Sequence, residues 1–100
     1  MTNNATNDLE EWYRATSPLS RAYFERARKV MPGGVKGAYF YEPYPLSIKR
    51  GDGCYLYDVD GRRFVDFTNH HTAQILGHNH SAVNNAVVSQ LELVIAPGGP

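Results

Sequence analysis

Between Pro45 and Phe67, apolar and polar residues alternate in three short runs separated by Gly51-Asp52-Gly53 and Asp60-Gly61. This is the pattern of strands joined by tight turns. Asp60-Gly61 suits a two-residue type I′ loop, because both central residues of that turn take positive φ. Such a loop pairs Leu56 with Val65 and Cys54 with Phe67 on one face, and sets Asp58 opposite Arg63. A three-residue loop over Gly51-Asp52-Gly53 then brings Ile48 across from Leu56 on the same apolar face. The expectation is a three-stranded antiparallel meander that needs a larger body to pack on, since two hairpins alone are marginal in water.

Helical spacing takes over on either side. Leu9, Trp12 and Tyr13 form the stripe of a short amphipathic helix over 8–15, preceded by a polar stretch, 1–7, that is expected to be disordered. Ser17-Pro18 reads as N-cap and first helical residue, and Leu19, Tyr23, Ala27 and Val30 continue a helix over 18–30 that Pro32-Gly33-Gly34 ends. From Val35 to Tyr44 neither period appears. That segment, closed by Pro43 and Pro45, reads as an extended crossing whose aromatics either pack beneath a loop or line a ligand pocket. After Thr68, a polar loop leads to Ser81 as N-cap of a helix over 82–94, with Val83, Val87, Leu91 and Val94 on one face. The chain then runs into Ala96-Pro97-Gly98-Gly99-Pro100, and is expected to be one segment of a larger fold.

One hundred residues make at most one small domain. Ten basic and ten acidic side chains cancel, so there is no net field to draw nucleic acid or an anionic membrane. No apolar run is long enough to span a bilayer and no secretory leader is visible, which makes a cytoplasmic location the expectation. Cys54 cannot form an internal disulfide, and its place on the predicted apolar face makes it a small buried hydrophobe.

The chemistry legible from residue types is thin. His70, His71, His78 and His80 cluster, but their loop holds no carboxylate or thiolate to complete a metal site, so no metal is expected. Asp58-Val59-Asp60-Gly61 has its glycine at the fourth position where a calcium loop requires the sixth, and reads as a turn. The paired glycines do not open a helix after a strand as a phosphate cradle would. A stand-alone interaction module, docking a partner through Trp12, Tyr39 and Tyr41, is the alternative function.

Three runs in order, SRAYFERARKVMPGGV, PLSIKRGDGCYLYDVDGRRFVDF and ILGHNHSAV, resemble the amino-terminal segment of class III pyridoxal-phosphate aminotransferases, within the branch of glutamate-1-semialdehyde aminomutase and β-phenylalanine aminotransferase. The resemblance covers about Ser17 to Leu91. It implies an α/β fold of the type I transferase kind, in which this α+β segment of helices, meander and following helix, residues 1–100, belongs mostly to the small domain. It implies a homodimer acting on an amino acid, with pyridoxal 5′-phosphate bound by residues beyond position 100, so that this segment alone is inactive. By position, Lys36 falls where the β-phenylalanine branch binds the substrate carboxylate with arginine, and His71 where the class places a tryptophan or tyrosine over the active site. Ala38 and Tyr39 fall where that branch lines its side-chain pocket. No catalytic or cofactor-binding residue is implied within the chain.

Overall fold

The computed structural model of the chain describes residues 4–35 and 42–94. Helices α1 (Asn4–Thr16) and α2 (Pro18–Arg28) precede three short strands, β1 (Ile48–Asp52), β2 (Tyr55–Asp58) and β3 (Arg63–Val65), and helix α3 (Ser81–Leu93) follows them. The strands form one antiparallel sheet in the order β1-β2-β3, as expected for a meander. The chain divides into two compact units, one of residues 1–50 with 57–63 and one of residues 51–56 with 64–100.

In the first unit, α1 begins at Asn4, so residues 4–7, expected to be disordered, form its first turn. Pro18 opens α2 as predicted, yet Ser17 does not cap it: the Ser17 hydroxyl donates to the Tyr13 carbonyl instead. The cap comes from far along the chain. Asp60 Oδ1 accepts the Leu19 N–H at 2.7 Å, and Oδ2 accepts the Ser20 N–H at 3.0 Å and the Ser20 hydroxyl at 2.7 Å. A carboxylate here satisfies two orphan amides and meets the positive end of the helix dipole. Burial works to raise the Asp60 pKa, but the Ser20 hydroxyl and the two amides outweigh it, and the net direction is down. The Ser20 hydroxyl also accepts the Ser47 N–H at 3.2 Å, tying the approach to β1 to the same cap.

What this unit buries is mostly polar. Tyr44, 2% exposed, is the only buried hydrophobic side chain among the described residues, and the others are Ser17, Ser20 and Asp58. Tyr44 packs with Tyr13, ring centroids 5.2 Å apart, and Phe24 at 6.3 Å; its hydroxyl sits 3.0 Å from Ser17 Oγ, and its carbonyl accepts the Tyr13 hydroxyl at 2.6 Å. So the described end of the aromatic crossing serves packing. Asp58 is neutralised by Arg62, whose N–H and Nε donate to its two oxygens at 2.7 and 2.8 Å, while Nη1 reaches Thr16 Oγ1 at 2.8 Å. With every oxygen of the buried carboxylate occupied, its desolvation is offset.

The register between β2 and β3 corrects the expectation. The Asp58 N–H donates to the Arg62 carbonyl at 3.0 Å and the Asp66 N–H to the Cys54 carbonyl at 2.8 Å, so Asp58 lies across from Arg62 and Cys54 across from Asp66. The connection holds three residues, Val59, Asp60 and Gly61, with Gly61 at φ +90° and its N–H closing a turn onto the Asp58 carbonyl at 3.3 Å. This is a type I turn followed by a left-handed glycine, the three-residue alternative to the two-residue loop. A slip of one residue exchanges the faces of β3. Accordingly Phe64, and not Val65, is the more covered, Val65 being 50% exposed. At the other hairpin Gly53 and Cys54 connect the strands in place of the expected Gly51–Gly53 loop, and the Val59 N–H donates to the Ser47 carbonyl at 2.9 Å. Two residues separate this pairing from the expected one, so the faces of β1 are unchanged.

In the second unit, α3 begins at Ser81, one residue early, with His80 as its N-cap position and no side-chain cap bond. Its predicted stripe of Val83, Val87, Leu91 and Val94, with Leu76, lines an open apolar groove of about 570 Å³. Cys54 is exposed, contrary to the expectation of burial; the shifted register sets it across from Asp66 and not from Phe67. Phe67 and Ile75 are 94% and 90% exposed. Each such side chain withholds roughly 1.5–3 kcal/mol of burial energy until something covers it.

Two outcomes follow. The purified 1–100 chain should bind a hydrophobic dye and melt without a cooperative transition; a sharp monomeric melt would contradict this. In the full-length protein, Asp60→Ala should speed amide exchange at Leu19 and Ser20 by about fivefold, the equivalent of roughly 1 kcal/mol for a lost helix cap, whereas Asp52→Ala should leave both amides unchanged.

Candidate functional site

The polar segment after β3 is where the backbone departs furthest from ordinary geometry. Asn69–Thr72 forms a single helical turn in which Asn69, His70, His71 and Thr72 take φ values of +49°, +47°, +55° and +68°. These lie in the left-handed region, which costs non-glycine residues roughly 1–2 kcal/mol apiece and is normally visited singly. For the β-branched Thr72 the position is especially unfavourable. Backbone bonds within the turn, Thr72 N–H to the Thr68 carbonyl at 3.2 Å and Gln74 N–H to the Asn69 carbonyl at 3.3 Å, recover only part of that. Strain of this kind persists only where surrounding groups over-determine it, and it concentrates at functional sites.

Asp66 is the principal such group. Its Oδ1 accepts the Thr68 and Asn69 N–H groups at 2.9 and 3.0 Å, which sets the entry into the turn. Its Oδ2 lies 2.7 Å from His78 Nε2. The hydrogen bond from His78 and those from the Asn69 and Thr68 amides hold the Asp66 carboxyl below its ordinary range. An ionised oxygen can only accept, so His78 Nε2 is the donor. His78 is fixed in turn by the backbone: its N–H donates to the Gly53 carbonyl at 2.8 Å and its carbonyl accepts the Gly53 N–H at 3.1 Å. Neighbouring glycines make the approach possible. A Cβ at Gly51 would lie 2.6 Å from the His78 ring, and one at Gly77, which sits at φ +80°, would lie 2.8 Å from the Gly53 carbonyl oxygen.

His71, a predicted substrate-binding residue, is exposed on this turn, its ring edge-on to that of His70 with centroids 6.4 Å apart. Lys36, Ala38 and Tyr39 lie outside the described residues. Beside the turn is a cleft of about 480 Å³ with Asp66, His78 and Gln74 on its polar side and Cys54, Phe67 and Ile75 on its apolar side. Among the described residues, the Gln74 Oε1 is buried without a hydrogen-bond partner. No group of three His, Cys, Asp or Glu among the described residues is arranged to hold a metal ion. Asp66 and Gln74 were not singled out from sequence as site residues, and His78 was weighed only as one of four clustered histidines. The available signal was Asp66 two residues before Thr68, the spacing of a carboxylate that bonds its own following backbone.

The sequence profile of the family described as aminotransferase class-III matches residues 37–96. The chain belongs to that family. It is 40% identical over 82 residues to glutamate-1-semialdehyde 2,1-aminomutase of Methanocaldococcus jannaschii, a match covering 81% of this chain and 19% of the relative. The crystal structure of a β-phenylalanine aminotransferase from Variovorax paradoxus superposes with a TM-score of 0.81 at 34% identity, over 94% of this chain and 22% of that one. A solved transaminase with PLP bound aligns with a TM-score of 0.74 at 35% identity, covering 84% of this chain and 20% of its own. The chain thus spans about a fifth of the length of the relatives it matches. The α/β transferase fold expected from the sequence is the fold of these neighbours.

The described residues do not make a cradle for the cofactor of such enzymes. Lys29 and Lys49, the lysines among them, are both exposed, and no buried amine is present to bond its aldehyde. Among the described residues, the most strained feature is a carboxylate-held turn bearing two imidazoles.

The lowered Asp66 pKa gives a direct check. A carboxylate depressed in the folded state stabilises it fully above the ordinary value of 3.8, and that contribution disappears as pH falls through the lowered value. Carboxyl-carbon NMR of the folded protein should show Asp66 titrating below 3.8; a midpoint at or above it would contradict the bonding described.

Proposed function

We propose that this chain is the amino-terminal segment, mostly small-domain, of a cytoplasmic, homodimeric, pyridoxal-phosphate-dependent aminotransferase or aminomutase that moves an amino group on an amino acid. The observation that carries this reading is the class-III family match over residues 37–96. The cofactor, when bound, supplies the electron sink that stabilises negative charge on the carbon bearing the amino group. The residues that hold it belong to chain beyond this segment, and this segment recognises substrate.

Within that reading, His71 places a flat ring and a titratable donor over the substrate, which favours a more polar side chain than a tryptophan or tyrosine there would. Lys36 offers the substrate carboxylate a point charge in place of an arginine fork. Ala38 and Tyr39 shape the pocket for the substrate's side chain, the first by its small size and the second through an amphipathic ring.

The test uses the full-length protein loaded with pyridoxal phosphate and a panel of α- and β-amino acids with keto-acid acceptors. Amino transfer or amino migration is expected on at least one of them, and its absence across the panel would overturn the proposal. His71→Ala should lower kcat/KM by about tenfold or reorder substrate preference, a larger effect than the shift in KM from Lys36→Ala. Equal and negligible effects of both would remove them from the site.

A further inference from the structure

The Asn69–Thr72 turn carries more strain than its own hydrogen bonds explain, and the groups that compensate lie outside it. Four consecutive non-glycine residues sit at φ between +47° and +68°. Asp66 bonds both amides at the turn's entrance with one oxygen and His78 with the other. His78 is anchored to Gly53 by two backbone bonds, so the carboxylate links the strained turn to a fixed point. This arrangement reaches from the turn's first residue to an element elsewhere in the unit.

We propose that Asp66 and His78 are positioning residues: the Asp66 carboxylate, braced by His78, holds residues 69–72 in the left-handed turn and thereby sets the direction from which His71 meets the amino acid substrate. This rests on the reading above that His71 faces substrate. Neither Asp66 nor His78 takes part in the chemistry. The distinction between this role and mere support of the fold is kinetic. A positioning residue alters substrate capture at full cofactor loading, whereas a purely structural one alters the fraction of folded, loaded protein.

The variants grade the interaction. Asp66→Ala removes both halves of it. Asp66→Asn keeps an oxygen for the Thr68 and Asn69 amides and loses the charge facing His78. His78→Gln places an amide N–H near the position of Nε2 and keeps the brace. In the full-length protein loaded with pyridoxal phosphate, Asp66→Ala should raise KM for the amino donor by about tenfold or more, the scale of lost charge-assisted hydrogen bonds. The cofactor absorbance band should be unchanged and kcat should stay within about threefold. Asp66→Asn should fall between, and His78→Gln should lie closest to the unmodified protein. Hydrogen exchange of peptides covering 66–78 should quicken in the same order, a readout independent of activity.

An unchanged KM in Asp66→Ala, or lowered cofactor loading with KM intact, would overturn the proposal. Where Asp66→Ala does not fold, Asp66→Asn and His78→Gln carry the comparison, and equal KM and exchange in those two would overturn it equally. An unmodified protein that transfers no amino group fails the proposed function instead, and the order of exchange rates then decides whether Asp66 holds the turn.

Discussion

Gly61, at φ +90°, allows the β2–β3 connection to hold three residues, and the register that results decides where three aspartates go. Asp58 falls across from Arg62 and is neutralised by it. Asp60, in the middle of the loop, meets the first turn of α2 and accepts two of its amides. Asp66 falls across from Cys54, at the end of the hairpin that His78 also reaches through Gly53. A two-residue loop would have moved every β3 side chain to the other face. Asp58 would then have faced Arg63 in place of Arg62.

Asp60 and Asp66 solve the same physical problem in the two units. Each carboxylate takes two consecutive backbone N–H groups at the start of a turn of chain, and each takes one further donor from a side chain, Ser20 in one case and His78 in the other. Both are held below the ordinary carboxylate range, since the donors favour the charged form. This polar fastening stands in for an apolar core, because Tyr44 is the one buried hydrophobic side chain among the described residues. Charge-assisted hydrogen bonds fix direction well, but each adds only a modest net amount to stability. The larger hydrophobic term remains on the exposed faces of α3 and of Phe67 and Ile75, to be realised only against further surface.

What could be read from the sequence was what depends on local pattern. The stripe of α3, the proline start of α2 and the existence of two hairpins follow from periodicity and turn residues, and the motif order was sufficient to place the chain in its family. What escaped depends on competition between nearly equal local choices. Asp60-Gly61 suits a two-residue loop, but the same glycine serves a three-residue loop, and the capping of α2 and the pairing of Asp58 with Arg62 favour the latter only in three dimensions. Ser17 was a reasonable cap by type; a carboxylate more than forty residues along displaced it, and sequence spacing carries no trace of that. The left-handed turn at Asn69–Thr72 was illegible for a sharper reason. Asn and His visit that conformation only now and then and β-branched Thr72 hardly at all, so propensity argues against four such residues in a row.

That last conflict bears on how a short turn presents the side chains it carries. Side chains on a relaxed loop sample many directions, and a binding group presented that way loses entropy when it engages a ligand. A turn locked in an unfavourable backbone region has given up that freedom during folding, and the side chains on it arrive with their directions already set. His70 and His71 are held edge-on to one another at 6.4 Å on such a turn. The strain is local and the groups that offset it, Asp66 and His78, lie at its base. On the proposed reading, substitutions in the imidazoles and substitutions at the base therefore affect different quantities: the first would change what a substrate meets, and the second how well defined that encounter is.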